Sequence, residues 1–428
     1  MNVQFAEAAL ECMPWRLVFP ERQKFEMVCP SDHDAVQSSR HCDLTPHKTL
    51  SDWDPGSDVV QTNQIRAYDD MRARCPVAYS DHFGWSLFRH ADVTRVVEDH
   101  RTFSNVTSSH LSVPNGMDPP RHTEYRRLIE CYFAPDRVEA FEPVFRSISR
   151  SLVSELRRGE EVELVALLAQ PFAAQVQCAF LGWPAGLHEP LLLWVSKNHK
   201  ATLARDGKAL AAVALEFDGY ITQLLEKRLE AGCAEPNDIT RELLREEING
   251  RPLGREEIVS ILRNWTVGEL GTITACVGIL CHYLARNPQV QRRVRADMRL
   301  LPAAIDEILR MHAPLIANRR VTTKPVEIGG RRLAARQRVT LIWASANRDE
   351  TVFGDPDEFR MDRDPSLNLL YGRGIHVCPG AQLARLELRV VMEEVLRSTR
   401  DMALVRGHPP VFAVYPASGF STLPVKIS

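Results

Sequence analysis

The chain has 428 residues, and its 53 Lys and Arg against 55 Asp and Glu leave a formal net charge of −2. An apolar fraction of 44% with balanced charge is typical of a globular protein and argues against binding that depends on neutralising phosphates. We find no uninterrupted apolar stretch of about 18 residues, so we expect neither a nucleic-acid partner nor a membrane anchor.

The ten cysteines are widely spaced, and no C-x-x-C pair or signal-peptide pattern accompanies them. Such usage favours a reduced compartment over a disulfide framework, so we expect a cytoplasmic protein. Cys276 and Cys281 lie in an apolar helical pattern and are expected to be small buried side chains. Only Cys378 has a local sequence that a role as a small buried side chain does not explain.

Residues 1–50 are polar and irregular, and prolines interrupt any periodicity. They are predicted to form an irregular N-terminal extension, and residues 51–428 a single domain. A short strand is predicted at residues 85–90, and helical patterns dominate residues 119–404. Residues 320–343 are rich in β-branched side chains and contain a Gly-Gly turn, which indicates a small sheet. The fold class is therefore mainly α with small β-sheets.

Residues 255–287 form one long helical pattern that ends before Pro288, and this is the predicted central helix. Gly268 and Gly271 lie in its interior, where each glycine costs about 1 kcal/mol relative to alanine. That cost suggests close approach of a ligand. Thr272 is expected to hydrogen-bond the carbonyl group four residues back and to open a polar groove in the helix.

Residues 371–380 read Tyr-Gly-Arg-Gly-Ile-His-Val-Cys-Pro-Gly and precede a helix with an apolar stripe, so Cys378 lies just before a helix N-terminus. That position favours a thiolate, and the glycines permit a tight loop near a flat ligand. A buried structural cysteine is one alternative. A phosphate loop is another, but Val377 occupies its third glycine position and no βαβ unit follows. A lone thiolate fits haem iron better than structural zinc.

The segment resembles the haem-binding signature of the cytochrome P-450 family through Tyr371 (usually Phe), Gly372, Gly374, His376, Cys378 and Gly380. The resemblance extends over residues 52–428 and implies the P-450 fold around a long distal helix, with haem b bound through the Cys378 thiolate. It implies a monooxygenase that inserts one oxygen atom from O2 into a small organic substrate, by hydroxylation or O-dealkylation. Ferredoxin and an NAD(P)H-dependent ferredoxin reductase are expected as separate partners, for which Arg373, Arg385 and Arg389 suggest a basic docking face.

Two further groups match the family pattern. Glu307 and Arg310 resemble its E-x-x-R pair, with Arg363 as third partner, and are expected to brace the core near the haem. The residues that resemble the propionate ligands are His122, Arg126, Arg320 and His376, since buried carboxylates need strong donors. We predict that the adjacent Arg127 and Arg319 do not take part. Gly268 is also expected to contact the haem.

The distal helix departs from the family pattern. The family commonly has an acid immediately before the threonine that Thr272 resembles, whereas this chain has Gly271 there and Glu269 where glycine is usual. One hypothesis is that Glu269 relays protons for oxygen activation together with Thr272. The other is that Glu269 turns away into a salt bridge.

Substrate contacts in this family come from segments that correspond to residues 103–117, 264–268, 315–318 and 417–420. Several of these side chains are polar, which suggests a substrate with a hydrogen-bonding or acidic group. The predicted contacts are Ser104, Asn105, His110, Asn264, Val267 and Ile316. Two other functions remain open: a peroxygenase that uses hydrogen peroxide directly, and a non-catalytic haem sensor or carrier.

Overall fold

The structure is a computed structural model, and it describes residues 50–204, 206–230 and 238–428. The predicted extension at residues 1–50 lies outside these ranges except for Leu50, as do the cysteines at positions 12, 29, 42 and 233. The other six cysteines are free.

Helices carry most of the described chain, as the sequence predicted. Their bounds are α1 Asp58–Thr62, α2 Gln64–Arg74, α3 His90–Glu98, α4 Arg121–Glu130, α5 Pro135–Glu139, α6 Glu142–Glu155, α7 Gln170–Leu181, α8 His188–Leu203, α9 Gly207–Glu230, α10 Ile239–Leu243, α11 Arg255–Arg286, α12 Pro288–Ala296, α13 Leu301–His312, α14 Trp343–Ala346, α15 Glu350–Phe353 and α16 Ala381–Ser398.

The strands are short. Their bounds are β1 Val77–Ser80, β2 Gly84–Leu87, β3 Phe103–Ser104, β4 Glu161–Glu163, β5 Glu247–Ile248, β6 Arg251–Pro252, β7 Ala317–Thr322, β8 Val326–Ile328, β9 Arg331–Leu333, β10 Arg338–Ile342, β11 Met402–Leu404, β12 Val411–Phe412, β13 Phe420–Thr422 and β14 Pro424–Ile427. The largest sheet has the order β1-β2-β10-β7-β3.

The sheet predicted at residues 320–343 is present, with β7 antiparallel to β10 and the hairpin β8–β9 turning at the two glycines. Residues alternate between faces along β7, which buries Arg320 and exposes Arg319. The strand predicted at residues 85–90 is shorter than expected, because α3 begins at His90.

The central helix α11 begins and ends close to the predicted limits. Its first turn is closed by Glu257, whose carboxylate accepts the backbone N–H of Gly254 at 2.7 Å, and Pro288 starts the next helix. The expectation that no segment is apolar enough to cross a bilayer was wrong for α11, which meets that criterion by length and composition. Of its most apolar window, 67% is buried inside the protein, so packing in the core accounts for its hydrophobicity.

The main core gathers α11 with α6, α7, α13 and α16. A second cluster lies between α3 and the large sheet, and a third packs α2 against the other side of that sheet. The loop that carries Cys378 lies between α3 and the start of α16, so both the sheet and the helical core position it.

Candidate active site

The loop of residues 371–378 is closed by its own backbone. The N–H of Cys378 donates to the carbonyl of Tyr371 at 2.8 Å, and the N–H of Val377 donates to the carbonyl of Gly374 at 3.1 Å. Gly374 has φ +73°, and an added Cβ would lie 2.4 Å from the carbonyl oxygen of Val97 in α3. Only glycine fits there, and this close contact fixes the loop that presents the Cys378 sulfur.

The Cys378 side chain is exposed, yet surrounding protein raises the pKa of its thiol to about 11, mainly through burial and despite the backbone N–H of Gly380. For the thiol without a bound cation, desolvation by the surrounding protein outweighs the effect of the helix end. A bound metal cation would reverse this balance, since a coordinating thiol loses its proton.

A cluster of basic side chains lies beside this loop. The rings of His122 and His376 are 4.2 Å apart between centroids, and the Nε2 atom of each is buried with no hydrogen-bond partner in the described chain. Burial, together with the neighbouring His122, Arg320 and Arg126, lowers the pKa of His376 to about 3. Burial also lowers the pKa of Arg320 to about 10.

No described carboxylate forms a salt bridge with His122, Arg320 or His376, although Asp118 lies close enough to His122 and Arg320 to affect their pKa values. Arg320 is 5% exposed, and within the described residues its side chain donates one hydrogen bond, to the carbonyl of Arg319 at 2.8 Å. Arg126 does have protein partners, since it pairs with Glu130 at 2.7 Å and donates to the carbonyl of Val377 at 2.6 Å. Arg320 and the two imidazoles are buried without a salt-bridge partner in the described chain, which is costly, so the cluster fits an additional anionic ligand.

The middle of α11 presents a bare face. A Cβ added at Gly268 or Gly271 would meet no other atom within 4 Å, and Val267 on the same side is 45% exposed. The expected hydrogen bond from Thr272 to the carbonyl four residues back is not formed; Thr266 and Thr274 make such bonds instead. The Thr272 hydroxyl is thus not tied to its own helix, and the bare face suits a flat ligand.

Glu269 is a partly buried residue of the same helix, two residues before Gly271. It contacts Glu387 of α16, and burial raises the pKa of both carboxyl groups, that of Glu387 well above its usual range. Glu387 is 0% exposed, and neither of its oxygens has a donor in the described chain. Because burial disfavours two adjacent carboxylate charges, we expect at least one carboxyl group of this pair to hold a proton. The alternative of a salt bridge is not observed.

Sequence reasoning missed Glu387, although a signal was present. The apolar stripe of α16 includes Ala384 and Leu388, and Glu387 lies three residues after the first and four before Val391 on the same face. A lone carboxylate on a buried apolar face indicates a specific partner.

The comparisons with known proteins agree with this geometry. The sequence model of cytochrome P450 matches residues 183–400. The chain belongs to the cytochrome P450 family. It is 33% identical over 341 residues to erythromycin C-12 hydroxylase of Saccharopolyspora erythraea, which covers 76% of this chain and 84% of that protein. It is 32% identical over 325 residues to cyclomarin C epoxidase CymV of Salinispora arenicola, covering 72% and 82%.

Solved structures of P450 proteins share the fold. A mutant of P450 EryK in complex with erythromycin B superposes with a TM-score of 0.77 at 29% identity, covering 85% of this chain and 96% of that one. The chain is therefore a P450 monooxygenase, an oxidoreductase that inserts oxygen into an organic substrate. Its cofactor is haem b bound through a cysteine thiolate. The residues described above fit this group: a thiol on a glycine loop, buried basic side chains of which Arg320 and two histidines have no salt-bridge partner in the described chain, and a bare helix face.

The predicted E-x-x-R network of this P450 is formed and buried. Arg310 donates to both carboxylate oxygens of Glu307 at 2.7 and 3.0 Å, and Arg363 donates to Glu307 at 2.9 Å. Arg310 is 1% exposed, and its remaining guanidinium nitrogen, Nη1, donates to the carbonyl of Asn347. Every charge in the network is paired, as a buried ion pair requires.

The residues predicted to contact substrate differ in their exposure and in their hydrogen bonds within the protein. Val267 and His110 are exposed, whereas Ser104 is buried and donates to Asp118 at 2.5 Å. The side-chain amide of Asn105 donates to the carbonyl of Asn115, so it too is engaged within its loop.

Two of these predictions need correction. Ile316 is 3% exposed and packs in the third hydrophobic cluster, while the neighbouring Leu315 is 42% exposed. The Asn264 amide is not free for a ligand, because it donates to Ser112 and to the carbonyl of Val113. Both errors have one cause: sequence position places a residue in a segment, and packing decides which side chains of that segment face inward.

Proposed function

We propose that Cys378 is the axial ligand of haem b in this P450, within a single haem domain at residues 51–428. Support comes from the glycine loop that presents its sulfur next to a basic cluster in which Arg320 and both histidines have no salt-bridge partner among the described residues. When bound, the haem supplies the oxygen chemistry, and the protein supplies the thiolate, the orientation and the electrostatics.

The test is the spectrum of the reduced, carbon-monoxide-bound protein, in which thiolate ligation shifts the Soret band far to the red. Cys378→Ala is expected to abolish this band. Cys131→Ala is the matched control, because Cys131 is also an exposed free cysteine. An unaltered band in Cys378→Ala would refute the assignment.

The basic cluster is the proposed propionate site, formed by His122, Arg126, Arg320 and His376. Arg126 ties this site to the cysteine loop through the carbonyl of Val377. Tyr371, Gly372 and Gly380 shape the loop itself; a Cβ at Gly380 would lie 3.9 Å from the Cys378 sulfur and 3.5 Å from the Phe133 ring. Gly268 is the proposed contact of α11 with the flat face of the haem.

On the distal side we propose that Thr272 is the hydroxyl that orients oxygen and its protons. Glu269, three residues earlier, is the proposed proton source. Its contact with Glu387 keeps a proton on this pair of carboxyl groups. Thr272→Ala and Glu269→Gln are each expected to lower the product formed per NAD(P)H consumed. Unchanged coupling in both variants would end this proposal.

The substrate is proposed to be an organic compound with a hydrogen-bonding group. Polar residues 107–110 are exposed beside the segment that contacts α11, and the relatives named above are named for erythromycin and cyclomarin C. A cytoplasmic location and a ferredoxin with its reductase as electron donors are part of the same proposal. The three arginines of the expected docking face are each paired with a carboxylate: Arg373 with Glu98, Arg385 with Asp306 and Arg389 with Glu142.

A further inference from the structure

A short segment of residues 111–113 is held to the central helix α11 by side chains on one helix face. Ser260 donates to the carbonyl of Leu111 at 3.0 Å and accepts the N–H of Val113 at 2.9 Å. One turn later, Asn264 donates to the carbonyl of Val113 at 2.9 Å. The backbone of a loop is thus satisfied by a helix distant in sequence.

Arg263 makes the third attachment and extends it to another helix. One arm of its guanidinium donates to the carbonyl of Leu111 at 2.8 Å, and the other donates to the carboxylate of Asp218 in α9 at 2.6 Å. The side chains of Arg263 and Asp218 are 11% and 27% exposed, so the two bonds are partly shielded from bulk water. The planar fork of arginine holds two partners in a fixed relation, which lysine does not do.

The position of this bridge relates it to the active site. Val267, one helical turn after Arg263, begins the bare face of α11. Exposed residues 106–110 immediately precede the attached segment. Arg263 therefore lies where α9, α11 and the loop meet at the edge of that face.

We propose that Arg263 is a positioning residue that couples α9 to the substrate-contacting segment 103–117, so that the two elements open together when a bulky ligand enters. The proposal rests on the function proposed above only in taking this segment as part of the substrate site. The hydrogen bonds that carry it belong to the protein itself and do not depend on the haem.

A second ion pair between the same helices provides the matched control. Arg255 of α11 pairs with Glu226 of α9 at 2.5 Å, but both side chains are 51% exposed and neither bonds the loop in the described chain. Exposed pairs of this kind contribute little. Loss of this pair removes a link between α9 and α11 without touching the loop.

The decisive variant is Asp218→Asn, because it removes the charge on α9 and leaves Ser260, Asn264 and Leu111 in place. In the holoenzyme, stopped-flow absorbance follows binding of two haem ligands, 4-phenylimidazole as a bulky probe and carbon monoxide as a small one. We expect both rates for 4-phenylimidazole to rise about tenfold, the effect expected for one charge-assisted hydrogen bond, with carbon monoxide rates unchanged. Glu226→Gln should leave both probes unchanged.

Hydrogen exchange of the ligand-free protein gives a readout independent of ligand binding. Arg263→Gln should speed exchange both at the Val113 amide and in α9 near Asp218, whereas Glu226→Gln should not affect Val113. Arg263→Lys should behave like Arg263→Gln, because one ammonium does not replace the fork.

Several results would overturn the proposal: wild-type rates for 4-phenylimidazole in Asp218→Asn, equal effects in Glu226→Gln, or full rescue by lysine. The carbon-monoxide spectrum separates this failure from failure of the haem assignment, since every variant here should retain the thiolate band. If Arg263→Gln does not fold, the ligand-binding rates of Asp218→Asn still test the proposal.

Discussion

Replacing Glu387 by glutamine should change how the stability of this P450 depends on pH. Glu387 is fully buried with no hydrogen-bond donor in the described chain, and burial and the neighbouring Glu269 raise its pKa well above the usual value of 4.5. The folded protein therefore holds a proton that the unfolded chain has already released. Stability is highest below the unfolded pKa and falls as pH rises toward the folded pKa.

The size of the effect follows from linkage. While Glu387 is protonated in the folded state and ionised in the unfolded state, each pH unit costs about 1.4 kcal/mol, so two units cost about 2.7 kcal/mol. Glutamine keeps the shape of a protonated glutamate and does not titrate. The free energy of unfolding of Glu387→Gln relative to wild type should rise by up to that amount between about pH 5.5 and about pH 7.5.

The assay is urea unfolding of both proteins across this pH range, with infrared detection of a protonated carboxyl band that Glu387→Gln should lose. Glu394→Gln is the control on the same helix. Arg146 and Arg150 hold the pKa of Glu394 below its usual value despite burial, so its stabilising effect is present above the unfolded pKa and is lost as pH falls. A difference between Glu387→Gln and wild type that does not vary with pH would refute the shared proton.

Three further outcomes are expected. Glu307→Gln should lower the free energy of unfolding by about 3–5 kcal/mol, because it leaves Arg310 and Arg363 without their carboxylate. Glu350→Gln should cost under about 1 kcal/mol in the same urea titration, because Glu350 is 53% exposed and its buried partner Arg72 keeps a second carboxylate, that of Asp69. Arg320→Leu should speed haem transfer to apomyoglobin, and Arg319→Leu, on the exposed face of β7, should not; equal rates would contradict the propionate site. Gly271→Ala should stabilise α11 by about 1 kcal/mol and weaken binding of 4-phenylimidazole, while Gly278→Ala, where the added Cβ has ordinary contacts with Phe420, should leave that binding unchanged.

Local sequence was sufficient for the parts of this P450 that depend on near neighbours. The glycine loop before α16, the limits of α11 and the opposite faces of Arg319 and Arg320 all follow from turn chemistry, helix capping and strand alternation. The E-x-x-R pair was also predictable, because i,i+3 spacing brings its charges together within one helix.

Only the tertiary structure decided how distant elements meet. Glu269 finds its partner in Glu387, and Asn264 and Arg263 bond a loop about 150 residues earlier in the chain. The raised pKa of the Cys378 thiol likewise comes from the surrounding protein and not from its own loop. Spacing along the chain fixes which side chains share a helix face or a strand face, whereas desolvation and long-range contacts exist only after those faces have packed together.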